Sequence, residues 1–163
     1  MDTLDDEILN LWQLLNKHNT LYIMVGGFAT TFHGFDRATA DLDIWIKDTP
    51  ENRKNLRTVL KEMEIGDFES IETTQFVPGF TSIMLNSGFE LDIMTSLKGF
   101  DQIKFDACFE LAPVALVENI PVRFLHINQL IEAKKASGRA KDLIDIEELE
   151  KIRKAKTPPE AGL

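Results

Sequence analysis

The sequence predicts an α/β (α+β) fold, a mixed β-sheet flanked by helices. Three observations lead there. Apolar residues recur at helical spacing near both ends of the chain. Short apolar or alternating runs between them read as strands. Helical and strand patterns interleave instead of forming separate blocks. A length of 163 residues fits one domain. It is expected over residues 1–155, with a disordered tail at 156–163 around Thr157-Pro158-Pro159.

The elements follow in order. Leu4, Ile8, Leu11 and Leu15, with Trp12 and Leu14 beside them, predict an amphipathic helix over 4–15. Thr3 is its expected N-cap, with Asp5, Asp6 and Glu7 at the positive end of the dipole. Leu21–Val25 reads as a buried strand that ends in Gly26-Gly27 and opens a short helix reaching towards Gly34. In 41–47, Leu42, Ile44 and Ile46 share one face, and Asp41, Asp43 and Trp45 share the other. Thr49-Pro50 supplies a cap and a first helical residue for a helix carrying Leu56, Val59, Leu60 and Met63. Strands at 81–85 and 89–94 flank the turn Asn86-Ser87-Gly88. A helix is expected over 101–110. A strand pair at 114–117 and 122–125 follows, turning at Glu118-Asn119-Ile120-Pro121. Asn128 is the expected cap of a helix over 129–137 that Gly138 ends. The last helix is placed at 139–152 with Leu143, Ile146 and Leu149 buried.

Composition narrows the function. Asp plus Glu is 27, Lys plus Arg is 18, and the formal net charge is −9. Coating nucleic acid by bulk charge needs the opposite balance. Yet residues 132–156 carry eight Lys/Arg against six Asp/Glu, so the acidity is uneven. The one cysteine, Cys108, excludes an internal disulfide and a cysteine-rich zinc site, and it reads as a core residue. His18 and His126 form no spaced ligand set with it. His33 is expected to be structural or solvated. No apolar run is long enough to span a bilayer, and the acidic N-terminus lacks the basic start of a signal peptide. A cytoplasmic protein without a membrane partner is expected.

The informative stretch is VGGFATTFHGFDRATADLDIWI, residues 25–46. Two glycines between a strand and a helix let backbone approach a ligand, which suits phosphate. After thirteen intervening residues come Asp41-Leu42-Asp43. Two aspartates at i and i+2 of a strand point the same way, about 7 Å apart at their bases. They repel unless a cation lies between them. Mg²⁺ takes one or two carboxylates together with substrate phosphate oxygens. In GFELDIM, Glu90 and Asp92 share a face, and Asp92 reaches the same ions if its strand neighbours 41–47. The alternative is a solvated outer face.

Val25-Gly26-Gly27 with the downstream Asp41-Leu42-Asp43-Ile44 resembles the signature of the DNA polymerase beta-type nucleotidyltransferase superfamily. Arg37-x-Thr39-x-Asp41 is similar to the form in minimal bacterial nucleotidyltransferases and abortive-infection (AbiEii-like) toxins. The run Leu130–Ile146, with Lys134, Arg139 and Lys141-Asp142, looks like the same group. The resemblance covers about residues 21–150. It implies a nucleotidyltransferase-like fold and transfer of NMP from an NTP such as ATP, with Mg²⁺, or alternatively Mn²⁺, as cofactor. It implies that Asp41, Asp43 and Asp92 are catalytic metal ligands, and that Asp92 helps deprotonate an acceptor hydroxyl. Gly26 and Gly27 would hold the triphosphate. Lys134 is a phosphate ligand candidate and Arg139 and Lys141 are weaker ones. Competing structural readings make Lys141–Asp145 a surface pair and Arg139 a helix cap. Many members carry Gly-Ser where this chain has Gly-Gly, so the phosphate-binding hydroxyl falls to Thr30 or Thr31. The acceptor is an RNA end, a protein or a small molecule. The short chain leaves room for a partner such as an antitoxin. The other class of function is a non-catalytic nucleotide-binding or toxin–antitoxin partner module.

Overall fold

The computed structural model describes residues 3–78 and 80–156, with side chains from residue 6 onward. The expected Thr3 cap, the Leu4 contact and the tail at 157–163 lie outside the described atoms. Lys156, expected in the tail, closes the last helix instead.

Helix α1 (Thr3–Lys17) buries Ile8, Leu11, Trp12 and Leu15, the stripe its spacing predicts. Strand β1 (Tyr22–Val25) runs antiparallel to β2 (Asp41–Ile46), with helix α2 (Gly26–Phe32) between them in the chain. Helix α3 (Pro50–Glu62) starts as expected: the Thr49 hydroxyl accepts a hydrogen bond from Asn52 N at 3.1 Å. Asn52 is buried, and its amide reaches Leu21 O (2.9 Å) and Lys47 O (2.8 Å). Its Oδ1 accepts from Leu21 N, so one side chain ties α3 to the entry of β1 and the exit of β2.

Strands β3 (Ser82–Met84) and β4 (Glu90–Met94) form the expected hairpin, and β4 lies parallel to β2. The sheet order is β1-β2-β4-β3, a mixed sheet. A 3₁₀ turn at Gln102–Lys104 leads into α4 (Phe105–Leu111). Strands β5 (Val114–Val117) and β6 (Ile120–Arg123) pair on each other. Their turn is tighter than expected. Glu118 and Asn119 both take positive φ (50° and 67°), the backbone of a two-residue hairpin turn, so Ile120 and Pro121 belong to the strand. Leu125 N then donates to Met24 O at 2.9 Å and ties this chain segment to β1.

Helix α5 (Ile127–Ser137) is capped by His126, whose Nδ1 accepts from Asn128 N, not by Asn128. Asn128 already lies in the helix and accepts from Arg153. Gly138, at φ 65°, ends it in the left-handed conformation as expected. Helix α6 (Asp142–Lys156) starts three residues later than expected. Leu149 is buried, but Leu143 is 64% exposed, because Asp142 and Asp145 take the inward face of the first turn of α6. Cys108 is a buried core residue. Among the described residues no helix is long and apolar enough to cross a membrane.

The face shared by Asp41, Asp43 and Trp45 changes character along β2. Trp45 is fully buried against Phe105 (5.2 Å between centroids) and Phe100 (6.4 Å), so its half of that face is core. The carboxylate half is not covered in this way and borders a cavity.

Candidate active site

The register of β2 on β4 sets Asp43 directly beside Asp92 and Asp41 beside Glu90. Partners in a parallel pair point to the same side, so these carboxylates share one face. Asp41, Asp43 and Asp92 line a cavity of about 600 Å³. Glu90 is exposed and lies outside its lining. Asp92 is buried and accepts from Ser82 Oγ at 3.4 Å. Burial, the neighbouring charge of Asp92 and that of Asp41 push the Asp43 carboxyl up to about 6, against the opposing pull of Arg139 and Lys134. Burial is the larger cause, and the like charges beside it add to the shift.

Gly26 and Gly27 form the adjoining edge of the cavity. Gly26 has φ 66°, and a Cβ there would overlap the Asp43 carboxylate. A Cβ on Gly27 would lie 2.9 Å from Thr39 Oγ1. The Gly-Gly pair therefore makes room for two polar side chains. Thr30 plays another part: it is fully buried, its hydroxyl donates to Gly26 O at 3.0 Å, and it does not line the cavity. A threonine one helical turn on bonds back to its own helix. Thr31 also lies outside the lining. The hydroxyl that does line the cavity beside Gly27 belongs to Thr39.

Gly26→Ala combines left-handed strain with steric overlap and is expected to cost at least about 2 kcal/mol. Gly138→Ala has the same kind of φ but open space around it, and should cost about 1 kcal/mol. Urea denaturation of the two variants checks the difference, and equal losses would remove the overlap with Asp43 as a cause.

Lys134, Arg139 and Lys141 supply the opposite charge, joined by Arg37 and Lys98. Lys134 is buried and donates to Asp145 Oδ2 at 2.9 Å, with Asp142 Oδ1 at 3.7 Å. Arg37 meets the same Asp145 at 3.1 Å. Its Nε is buried and has no partner among the described residues. Arg139 donates to Asp142 at 2.7 Å. Burial pushes the Asp142 carboxyl up, but hydrogen bonds from Arg139 and Ser137 and the charge of Lys134 outweigh it and hold it below the usual carboxylate range. Asp145 is buried against Lys134 and Arg37, so the expected surface pair with Lys141 does not form.

His33 is buried, its Nε2 lies 2.7 Å from Leu125 O, and burial lowers its pKa. It is a structural histidine, one of the two expected readings. A smaller cavity of about 220 Å³, bordered by Asn16, Thr20, Tyr22 and Arg123, has no carboxylate in its wall.

Among the described residues no three His, Cys, Asp or Glu side chains converge closely enough to hold a metal ion by themselves. The donors of the acidic wall are all carboxylate oxygens, and burial together with the neighbouring carboxylates raises the Asp43 pKa. Such a set fits Mg²⁺, which completes its shell with water and phosphate oxygens, better than a closed structural metal site.

No family model matches the sequence, and no curated protein matches it. Solved structures do match the fold. A Thermotoga maritima protein designated a nucleotidyltransferase superposes with a TM-score of 0.59 at 13% identity, over 91% of this chain and 89% of that one. The antibiotic-resistance factor ANT(2'')-Ia gives 0.52 at 16% identity, over 95% and 92%. An antigenic nucleotidyltransferase-like protein from Paracoccidioides brasiliensis gives 0.54 at 20% identity, over 95% and 76%. The chain therefore has the nucleotidyltransferase fold.

Proposed function

We propose, from this fold and its cavity, that the chain is a Mg²⁺-dependent nucleotidyltransferase moving an NMP from an NTP to a hydroxyl acceptor. The observation that carries the reading is the division of charge in one cavity. Three carboxylates border it from β2 and β4, and five cations border it from elsewhere in the chain. Its volume of about 600 Å³ lies in the range of small-molecule sites. A nucleoside triphosphate with its metal needs both signs of charge at once.

Asp41 and Asp43 would hold the ion, and Asp92 would complete the acidic wall. When bound, Mg²⁺ supplies Lewis-acid stabilisation of charge on the attacking and leaving oxygens. The acceptor hydroxyl attacks the α-phosphorus, the bond from that phosphorus to the bridging oxygen breaks, and pyrophosphate leaves. Asp92 takes the hydroxyl proton. Gly26 and Gly27 leave backbone open to phosphate, and Thr39 lies beside them with a hydroxyl that would exchange its 3.2 Å bond to Asp41 O for a phosphate oxygen. Arg37 Nε, a buried donor without an acceptor among the described residues, suits an anion. Lys141, Lys98 and Arg139 add charge along the phosphate path.

The acceptor is an RNA end, a protein or a small molecule. A toxin role with an antitoxin partner is the narrower form of the same proposal. The reaction draws on NTP and so belongs in the cytoplasm.

The test is NTP binding and labelled NMP transfer with and without Mg²⁺, for the wild type and Asp41→Asn. Metal-dependent binding by the wild type and its loss in the variant are expected. A wild type that binds no NTP and transfers no label across a broad acceptor panel would refute the reading. Binding that persists without metal or turnover would mark a nucleotide-binding module instead.

A further inference from the structure

Phe80 is 86% exposed and lines the cavity that holds Asp41, Asp43 and Asp92. Other strongly exposed apolar side chains, such as Ile103 and Leu116, border neither cavity. An aromatic ring left in water beside a charged cavity has a large unpaired π-face.

The segment that carries Phe80 has another aromatic for the core. Phe76 is buried beneath the Arg53 guanidinium, 4.6 Å from its ring centroid. Phe80 is not left out for want of anchoring. Its N donates to Val77 O at 3.0 Å, and Thr81 N donates to the same oxygen at 3.2 Å. The Thr81 hydroxyl accepts from Val77 N, and Thr81 O accepts from Ile93 N at 2.9 Å. Ile93 follows Asp92 on β4, so the backbone next to Phe80 is fastened to the strand that carries a site carboxylate. Pro78, Met94 and Leu97 give the lining an apolar portion distinct from its cations.

We propose that Phe80 is the stacking platform for the nucleobase of the bound NTP, an assignment that rests on the nucleotidyltransferase reading above. Stacking on a side chain is tolerant of base identity, because every base has a π-face. The platform therefore supplies affinity for nucleotides as a class, with purines, which present the larger face, gaining more than pyrimidines.

The test separates base from phosphate. Binding of ATP, CTP and inorganic tripolyphosphate in Mg²⁺ is measured for the wild type, Phe80→Ala, Phe80→Leu and Phe80→Trp. Phe80→Ala should weaken ATP about 10-fold or more and leave tripolyphosphate within about two-fold. Phe80→Trp should retain ATP affinity, and Phe80→Leu should fall between the two. Equal losses for ATP and tripolyphosphate, or unchanged ATP affinity in Phe80→Ala, would overturn the assignment; the latter would give Phe80 to a protein contact. If the wild type binds tripolyphosphate but ATP no more tightly, this inference alone falls. If it binds neither, the nucleotidyltransferase reading falls and takes the inference with it.

Discussion

Asp43→Asn is expected to make the metal-free protein more stable at pH 7 while abolishing nucleotidyl transfer. The Asp43 carboxyl lies at about 6 in the folded chain against 3.8 for an ordinary aspartate. Below about pH 4 the group is protonated in both states and the substitution changes little. Between about pH 4 and pH 6 the folded chain keeps a proton that the unfolded chain releases, so wild-type stability falls as pH rises. Above about pH 6 the penalty is complete, as much as about 3 kcal/mol. An uncharged amide of the same shape removes it. Urea denaturation at pH 5 and pH 7 should show a falling limb in the wild type that the variant lacks. Mg²⁺ should raise the wild-type midpoint and leave the variant unmoved. Equal stability of the two proteins at pH 7 would show that the carboxylates do not strain the fold.

The opposite sign is expected at Lys134. This ammonium is buried between Asp142 and Asp145, themselves only 1% and 2% exposed. Lys134→Met leaves two buried carboxylates with only Arg37 and Arg139 to balance them. Breaking a buried pair by removing one partner costs about 3–5 kcal/mol. Adding Asp145→Asn should recover much of the loss, because the uncompensated charge goes with it. The double variant also separates structure from chemistry. If it folds and still binds NTP with wild-type affinity, Lys134 serves α5 and α6 alone. If it folds and loses NTP, the ammonium also reaches phosphate. A single variant as stable as the wild type would contradict the buried-charge argument.

Local rules made much of the fold legible in the sequence. Parity along β2 and β4 put Asp41, Asp43 and Asp92 on one face, and the observed register keeps them there. Thr49-Pro50 and Gly138 bound their helices as their chemistry requires. Long-range partners were not legible. Nothing near Asp145 in sequence announces Lys134, eleven residues away, or Arg37 on a different loop. Lys141, at helical spacing, is the partner visible in the sequence, but Asp145 pairs with Lys134 and Arg37. Thr30 is close to the glycines in sequence, whereas Thr39 is the hydroxyl that lies beside Gly27 in space. Pro121 drew the β5–β6 turn too late, since proline is equally at home on an edge strand where no N–H is required. Phe80 carried no motif. Its place on the cavity goes with long-range fastening of the adjacent backbone, Ile93 N of β4 donating to Thr81 O.

Arg37 has a consequence for motion. It lies between α2 and β2, yet its guanidinium meets Asp145 of α6, which Lys134 of α5 also holds. Gly34 in the same connection packs close to Ile152 of α6: a Cβ there would lie 3.4 Å from the Ile152 side chain. The connection and the C-terminal helix are thus stitched at two places. Parting them would break the Arg37–Asp145 pair and uncover the Ile152 side chain, so the two segments are expected to move as one piece.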